Sequence, residues 1–285
     1  SVFIAGEDVG AHGGVFGYYR GLQPEFGEDR VVDTPIAEQA IIGLGIGAAV
    51  QGLRPVVDLM FMDFICVAMD QIVNQAAKLK YMFGGGAKLP LTITTAGGGG
   101  LSAAAQHSQS LEAMLCHVPG LKVVMPSTPS DAKGLLLSSI RSPDPVIFFE
   151  PKALYRASVE EVPEGEYEVP LGEAKVIQEG THVTVVGWGG QMLVLRKAVD
   201  MAAELGISCE LIDLRTIVPW DANAVCTSVA KTGRLVVSHE APITSGFAAE
   251  ITAIVDAGNV QKALVLFLLS VGKTFHLICQ RVASF

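Results

Sequence analysis

Short apolar runs alternate with longer stretches of helical character along most of the chain, the pattern of sheets whose strands run mainly parallel. Val2 to Ala5, Val31-Val32, Val56 to Met60, Leu91 to Thr95, Leu121 to Met125 and Val146 to Phe149 form a first series of predicted strands. Between them the spacing predicts a helix over Ile36 to Val50 and a long one over Phe64 to Phe83. The second is opened by Asp63 and carries Ile65, Met69, Ile72 and Ala76 at helical intervals. Shorter helices are predicted over Leu111 to Cys116 and Asp131 to Ile140. From Pro151 to Pro170 the character changes, with Glu160, Glu161, Pro163, Glu164, Gly165, Glu166 and Glu168 making an acidic connection that reads as a domain boundary. A second α/β unit follows, with strands at His182 to Val186, Cys209 to Leu214 and Leu235 to Ser238. Its helices are expected near Gln191 to Leu205, Asp221 to Lys231 and Ser245 to Val255.

Composition narrows what such a chain can do. Half of its 285 residues are hydrophobic and 17% are charged, which fits dense globular cores and leaves no disordered character. A net charge of −9 argues against nucleic acid and against anionic membrane surfaces. The five cysteines (66, 116, 209, 226 and 279) fall singly in apolar segments, which fits free thiols better than disulfides or zinc. No signal peptide is visible before the strand at Val2, so the sequence is expected to start inside the fold. The apolar run Ala263 to Val271 is too short to span a bilayer.

Candidate chemistry begins at Asp33-Thr34-Pro35, which reads as a helix start, because Asp or Thr can cap and Pro fits a first turn. The helix after it is almost wholly apolar or glycine and is expected to be buried on nearly every side, with Glu38 its single ionisable residue. A carboxylate buried without a partner costs several kcal/mol, so such a group favours its protonated form and can donate a hydrogen bond to a cofactor. The other reading is a capping box, with Glu38 returning to the backbone of Thr34. Gly43-Leu44-Gly45-Ile46-Gly47 lies inside a helix and is no phosphate fingerprint; small residues there suit close approach of another helix. Gly97 to Gly100 follows a strand but lacks the Lys-Ser/Thr of a phosphate loop, and Gly187-Trp188-Gly189 is a weak nucleotide signal. His107, in the polar knot Gln106-His107-Ser108-Gln109-Ser110, suits a general acid/base or a loop residue capping the next helix. Ser108 stands in no GxSxG elbow. The histidines at 12, 117, 182, 239 and 276 show no metal-ligand spacing, and His239-Glu240 fits a cleft or a capping pair.

Taken together, several stretches resemble one family. They are Gly6-Glu7-Asp8-Val9, Asp33 to Glu38, Met69-Asp70-Gln71-Ile72-Val73-Asn74-Gln75-Ala76-Ala77-Lys78, Ala105-Gln106-His107-Ser108-Gln109, Pro119-Gly120-Leu121-Lys122-Val123-Val124 and Ala132-Lys133-Gly134-Leu135-Leu136. The resemblance, over about residues 2 to 255, is to the β subunit of the thiamine-diphosphate-dependent decarboxylase component of 2-oxo acid dehydrogenase complexes. It implies an α/β fold with a transketolase-like pyrimidine-binding domain over residues 1–156, a linker over 157–170 and a transketolase C-terminal-like domain over 171–285, both with mainly parallel sheets. It also implies oxidative decarboxylation of a small 2-oxo acid and acyl transfer to lipoamide.

The resemblance places Glu38 as the acid that hydrogen-bonds the cofactor's aminopyrimidine nitrogen, favouring the tautomer that deprotonates the thiazolium carbon. Phe64 becomes the aromatic wall of the pyrimidine, and His107 a histidine near the reacting carbon with a role in proton transfer or lipoyl acylation. Leu91, Ser139, Ser142 and Asp144 fall where relatives hold a potassium ion, although Ser142 replaces an Asp. The implied partner is an α subunit in an α2β2 heterotetramer that holds the magnesium and the diphosphate. A lipoyl-bearing acyltransferase core is implied beyond it, in bacterial cytosol or mitochondrial matrix. The β chain by itself is then expected to be catalytically silent. Met60 to Lys80 and the region from Ala103 to Pro119 are similar to pyruvate and acetoin types. Phe148 to Arg156 and Ser238 to Pro242 are similar to branched-chain types, which tips the substrate slightly toward branched-chain acids. Two departures stand out. The amino-terminal helix of the family is missing before Ser1, and past about Asp256 an unrelated sequence replaces the expected last strand, helix and tail. That leaves room for a second function, a shortened β-like chain that pairs with the α subunit or the core without catalysing.

Overall fold

A computed structural model describes residues 1–257 and 264–269. The first sheet gathers β1 (Val2–Gly6), β2 (Val31–Asp33), β3 (Arg54–Phe61), β4 (Thr92–Gly97), β5 (Lys122–Val124) and β6 (Val146–Pro151). The second gathers β7 (Lys175–Gln178), β8 (Val183–Gly187), β9 (Cys209–Asp213), β11 (Arg234–His239) and β12 (Leu264–Leu269), while β10 (Thr216–Val218) crosses back to the first. Strand order is β10-β5-β6-β4-β3-β1-β2 in one sheet and β12-β11-β8-β9-β7 in the other. Among the described residues only the edge strands β10 and β7 run antiparallel. The helices are α1 (Leu22–Phe26), α2 (Glu38–Val50), α3 (Ala77–Met82), α4 (Glu112–Cys116), α5 (Pro129–Arg141), α6 (Gln191–Glu204), α7 (Ala222–Thr232) and α8 (Ala248–Ala257).

Local chemistry sets several of these boundaries. Thr128 caps α5 by accepting from the Asp131 N–H at 3.2 Å, with Pro129 in the first turn. Asp221 caps α7 through the Ala224 N–H at 2.9 Å, and Gly233 ends it in the left-handed region at φ 70°. Gly45 is where helix α2 meets the side chains of the sheet without room for a methyl group. A Cβ there would come within 2.8 Å of Leu91 and 2.9 Å of Val57. The glycine therefore admits the sheet, where a neighbouring helix was expected.

The predicted long helix over Phe64 to Phe83 is three pieces: a 3₁₀ segment Met62–Ala68, a wider π segment Gln71–Ala76 and then α3. Asp63 does not cap it. Its Oδ1 accepts instead from the N–H (3.2 Å) and Nε2 (2.8 Å) of Gln109. The two sheets are stitched where β10 pairs with β5. There the Arg215 guanidinium reaches Asp131 at 3.0 Å and Ser127 hydrogen-bonds Asp213. Residues Leu264–Leu269 form β12, parallel to β11 from Arg234↔Leu264 to His239↔Leu269, so a strand does stand where loss of the final strand was expected. The rest of the tail, with His276 and Cys279, lies outside the described residues.

Candidate active site

Because β1, β2, β3, β4 and β6 are parallel, their carboxyl ends share one rim, the place where open α/β sheets bind ligands. Glu7 follows β1, Glu38 follows β2, Phe64 follows β3, His107 follows β4 and Lys152 follows β6. Residues far apart in sequence thus arrive at one edge.

Glu38 is the first residue of α2, and Ala37 before it, at φ −162° and ψ 71°, offers no side-chain cap. The predicted helix start does not form. Asp33 ends β2 and turns its carboxylate to the N–H groups of Gly10 (2.6 Å) and Ala11 (3.1 Å). No capping box forms either, since Thr34 Oγ1 is buried without a partner and Glu38 has no hydrogen bond among the described residues. The carboxyl of Glu38 stands half-buried and unclaimed, near Glu7. Burial raises the pKa of Glu7, and the charges of Glu38, Asp8 and Asp58 raise it further. The expected burial of α2 on nearly all sides is corrected. Ile41, Ile42 and Ile46 face the core, while Leu44 and Val50 are 47% and 49% exposed and Ile36, just before the helix, is 82% exposed. The helix is apolar all round although only one of its faces is covered by the described residues.

Phe64 and His107 do come together. Their ring centroids lie 5.4 Å apart, edge to face at 83°, and Phe61 closes the group at 5.8 Å from Phe64 and 4.8 Å from His107. Helix α2 packs on the Met62–Ala68 turn that carries Phe64. Beneath them lies a satisfied polar layer. The hydroxyls of Tyr18 and Tyr19 donate to Asp58 Oδ2 at 2.9 and 3.0 Å, and Tyr155 donates to Glu150 at 2.6 Å. Burial and the nearby Asp58 push Glu150 up to about 8, even against that hydrogen bond.

The four residues expected to hold potassium gather at the opposite, amino end of the sheet. Several of their polar groups already have partners. Leu91 O accepts from Val146 N (2.9 Å), Ser139 Oγ donates to Leu135 O (2.7 Å), and Ser142 Oγ accepts from Lys122 Nζ (3.1 Å). Asp144 pairs with Lys80 and, at 3.5 Å, with Lys122, whose charges hold it below the usual carboxylate range although burial opposes them. Arg54 Nη1 donates to the carbonyls of Ile140 (2.7 Å) and Ser142 (3.5 Å). An edge already neutralised by Lys80, Lys122 and Arg54 does not fit a further cation, and no step is derived through one. Among the described residues no cluster of His, Cys, Asp and Glu is arranged for a metal, and no helix is long and apolar enough to cross a membrane.

Two buried ionisable residues escape a reading of the sequence. Glu112 is 1% exposed, accepts from Trp188 Nε1 at 3.4 Å, and burial pushes it up to about 7. Lys152 is 2% exposed, and its Nζ donates to the His107 carbonyl at 2.6 Å. The available signal for Lys152 was its position directly after the apolar strand Val146–Pro151.

Comparison with known proteins fits this geometry. The family described as "Transketolase, pyrimidine binding domain" matches residues 1–158, and "Transketolase, C-terminal domain" matches residues 172–274. The mitochondrial 2-oxoisovalerate dehydrogenase subunit beta of Dictyostelium discoideum is 57% identical over 254 residues, covering 88% of this chain and 68% of that protein. The mitochondrial 2-oxoisovalerate dehydrogenase subunit beta 2 of Arabidopsis thaliana is 54% identical, covering 89% and 71%. The pyruvate dehydrogenase E1 component subunit beta of Bacillus subtilis is 47% identical, covering 89% and 78%. Among solved structures, "Split gene transketolase, inactive beta4 tetramer" superposes with a TM-score of 0.79 over 99% of this chain and 91% of that one. At 20% identity it speaks for the fold alone.

Proposed function

This chain belongs to the β subunits of 2-oxo acid dehydrogenase decarboxylase components, and on that footing we propose that it builds half of a thiamine-diphosphate site completed by an α subunit. The observation that carries the reading is the rim itself: an unclaimed carboxyl at Glu38, an aromatic edge at Phe64 and an imidazole at His107, on the carboxyl ends of parallel strands. The residues present fit the group. A carboxyl with no internal partner can hold a hydrogen bond to a ring nitrogen, and a half-exposed phenyl can lie against a pyrimidine. Bound there, thiamine diphosphate supplies the nucleophilic carbon and the electron sink that decarboxylation of a 2-oxo acid requires.

The protein's own residues then have separate tasks. Glu38 binds and orients the pyrimidine through a proton shared at its Oε. Phe64 fixes the plane of that ring, with Phe61 behind it. His107, held edge-on by both rings, moves a proton at the reacting end or to the lipoyl group during acyl transfer. The apolar surface from Ile36 through Leu44 to Val50 supports an α subunit as the cover, which also excludes water from the carboxyl. We place the boundary between the two domains at residues 157–170, which overlaps all but the last residue of the 159–171 stretch between the two matched families. The substrate we favour is a branched-chain 2-oxo acid, supported by 57% and 54% identity to the two 2-oxoisovalerate relatives against 47% for the pyruvate one.

The test is reconstitution with a cognate α subunit, magnesium and thiamine diphosphate, assayed with branched-chain 2-oxo acids and with pyruvate. Glu38→Gln is expected to lower turnover by about 100-fold or more. Its far-ultraviolet spectrum and unfolding midpoint should match the parent. Undiminished turnover in that variant overturns the site, and faster turnover of pyruvate overturns the substrate.

A further inference from the structure

His107 rides on a loop whose position is not set by its own sequence. Residues 98–109 close on themselves where Gly98 N donates to Gln109 O at 3.0 Å, and Gln109 is pinned from below by Asp63. Inside the loop Ser102 and Ala104 adopt positive φ (52° and 63°), a conformation non-glycine residues avoid unless surroundings impose it. Two buried charges touch the loop from outside. Lys152 Nζ donates to the carbonyl of His107 itself at 2.6 Å while lying 5.2 Å over the Phe61 ring. From the other domain, the Glu240 carboxylate follows β11 and faces the loop, where the nearby Gly99 backbone works against the upward shift that burial gives it. It also sits so close to the loop that a Cβ on Gly98 would meet Oε2 at 2.7 Å.

The two charges make no direct ion pair, yet each eases the burial of the other. Burial lowers the pKa of Lys152, opposed first by the charge of Asp63 and then by that of Glu240; burial raises that of Glu240, opposed by the Gly99 backbone and then by Lys152. An unpaired amino group so deeply buried is costly, and its one hydrogen bond among the described residues goes to the main chain of the proposed proton carrier.

We propose that Lys152 and Glu240, one from each domain, are positioning residues that latch the 98–109 loop and set where His107 stands for acyl transfer. The functional half of this proposal rests on the role given to His107 above; the latch itself does not. It makes the seating of the second domain a determinant of geometry at the rim of the first.

The experiment uses the α-reconstituted protein with Lys152→Met, Lys152→Arg, Glu240→Gln and His107→Asn. Three quantities are read: decarboxylation with an artificial electron acceptor, reductive acylation of free lipoamide, and amide hydrogen exchange across residues 92–110. Lys152→Met should lower kcat for lipoamide acylation about ten-fold or more, since an ångström of misplacement is that costly. The KM for the 2-oxo acid should stay within about two-fold, because remote binding is untouched. Exchange in 98–109 should rise while β4 stays protected. Lys152→Arg should recover part of both losses, and Glu240→Gln should reproduce them more weakly. His107→Asn should lose acylation with the loop still protected. Unchanged loop exchange in Lys152→Met and Glu240→Gln overturns the latch, whatever His107 does. Raised exchange with full acylation overturns the positioning role. Full acylation in His107→Asn overturns the role of His107 and leaves the latch to be judged on exchange alone.

Discussion

The rim of the first sheet and the seam between the sheets treat acidic side chains in opposite ways. At the rim Glu38 is half-buried with no hydrogen bond, and hydrophobic residues around it lie open. In the seam Glu112 is shut away against Trp188, which stacks at 5.3 Å on His239 and meets Phe247 edge-on at 6.2 Å. Glu112 Oε2 and His239 Nδ1 are buried there without partners, so the seam tolerates imperfect polar satisfaction in exchange for aromatic packing. The contrast separates two kinds of unsatisfied group. One kind is partly open to solvent; the other is enclosed and answers by changing its proton affinity. A perturbed acid is therefore no sorting device for the active site here: burial raises Glu112 and Asp213 in the seam to about 7 and about 6, and it also raises Glu150 under the rim to about 8 and Glu7 beside Glu38.

The largest test of that contrast is truncation on each side. Trp188→Ala should destabilise the chain by about 3–5 kcal/mol, as expected for a large aromatic removed from a packed interior. Phe64→Ala at the rim should cost less, because part of its surface is already in water. Urea midpoints of the two variants decide the matter. Equal losses would mean that the rim is packed as firmly as the seam and is no open half-site.

The second test is pH. Burial places the folded pKa of Glu112 at about 7, above its ordinary 4.5, so the folded state holds the extra proton between those values. The stability that this proton contributes is complete in acid and is lost as pH rises through about 7. Asp213, at about 6, and Glu150, at about 8, carry the same sign, so unfolding free energy should fall from pH 5 to pH 8. Glu112→Gln should remove its share, roughly 3 kcal/mol of that fall. An unchanged slope in the variant would place the titration elsewhere and remove the seam's half of the contrast.

How much of this could be read from the sequence follows the same division. The central strands and most helices were legible because apolar runs of strand length recur between helical stretches. The edge strands β7 and β10 were not, since Lys175 and Gln178 give the first a polar face and the second is three residues that pair only with a distant strand. Glu38, Phe64 and His107 were singled out through the stretches around them, and the structure puts all three at the rim with Phe64 and His107 in contact. Lys152 and Glu112 were not recognised as buried, because what surrounds them is distant in sequence: Phe61 and the His107 carbonyl for the first, Trp188 for the second. Helix α2 misled for a physical reason. Hydrophobicity records that a face is to be covered but not by which chain, so an all-apolar helix was read as enclosed when one of its faces is open.

That open face gives the smallest and sharpest test. Gly47 is exposed on α2, and a Cβ there would meet nothing within 4 Å, whereas at Gly45 it would strike Leu91 and Val57. Alanine outranks glycine in helix propensity by about 1 kcal/mol, so Gly47→Ala should raise the stability of the isolated chain by up to about that amount. Gly45→Ala should lower it, since the sheet would have to move. If the outward face of α2 is where an α subunit sits, the same Gly47→Ala change should weaken heterotetramer formation, because a close helix contact is lost to one methyl group. Stability and association would then move in opposite directions in one variant, which a merely solvent-facing glycine cannot produce. Improved stability with unaltered association would show that the open face of α2 belongs to water, and the rim would need a different cover.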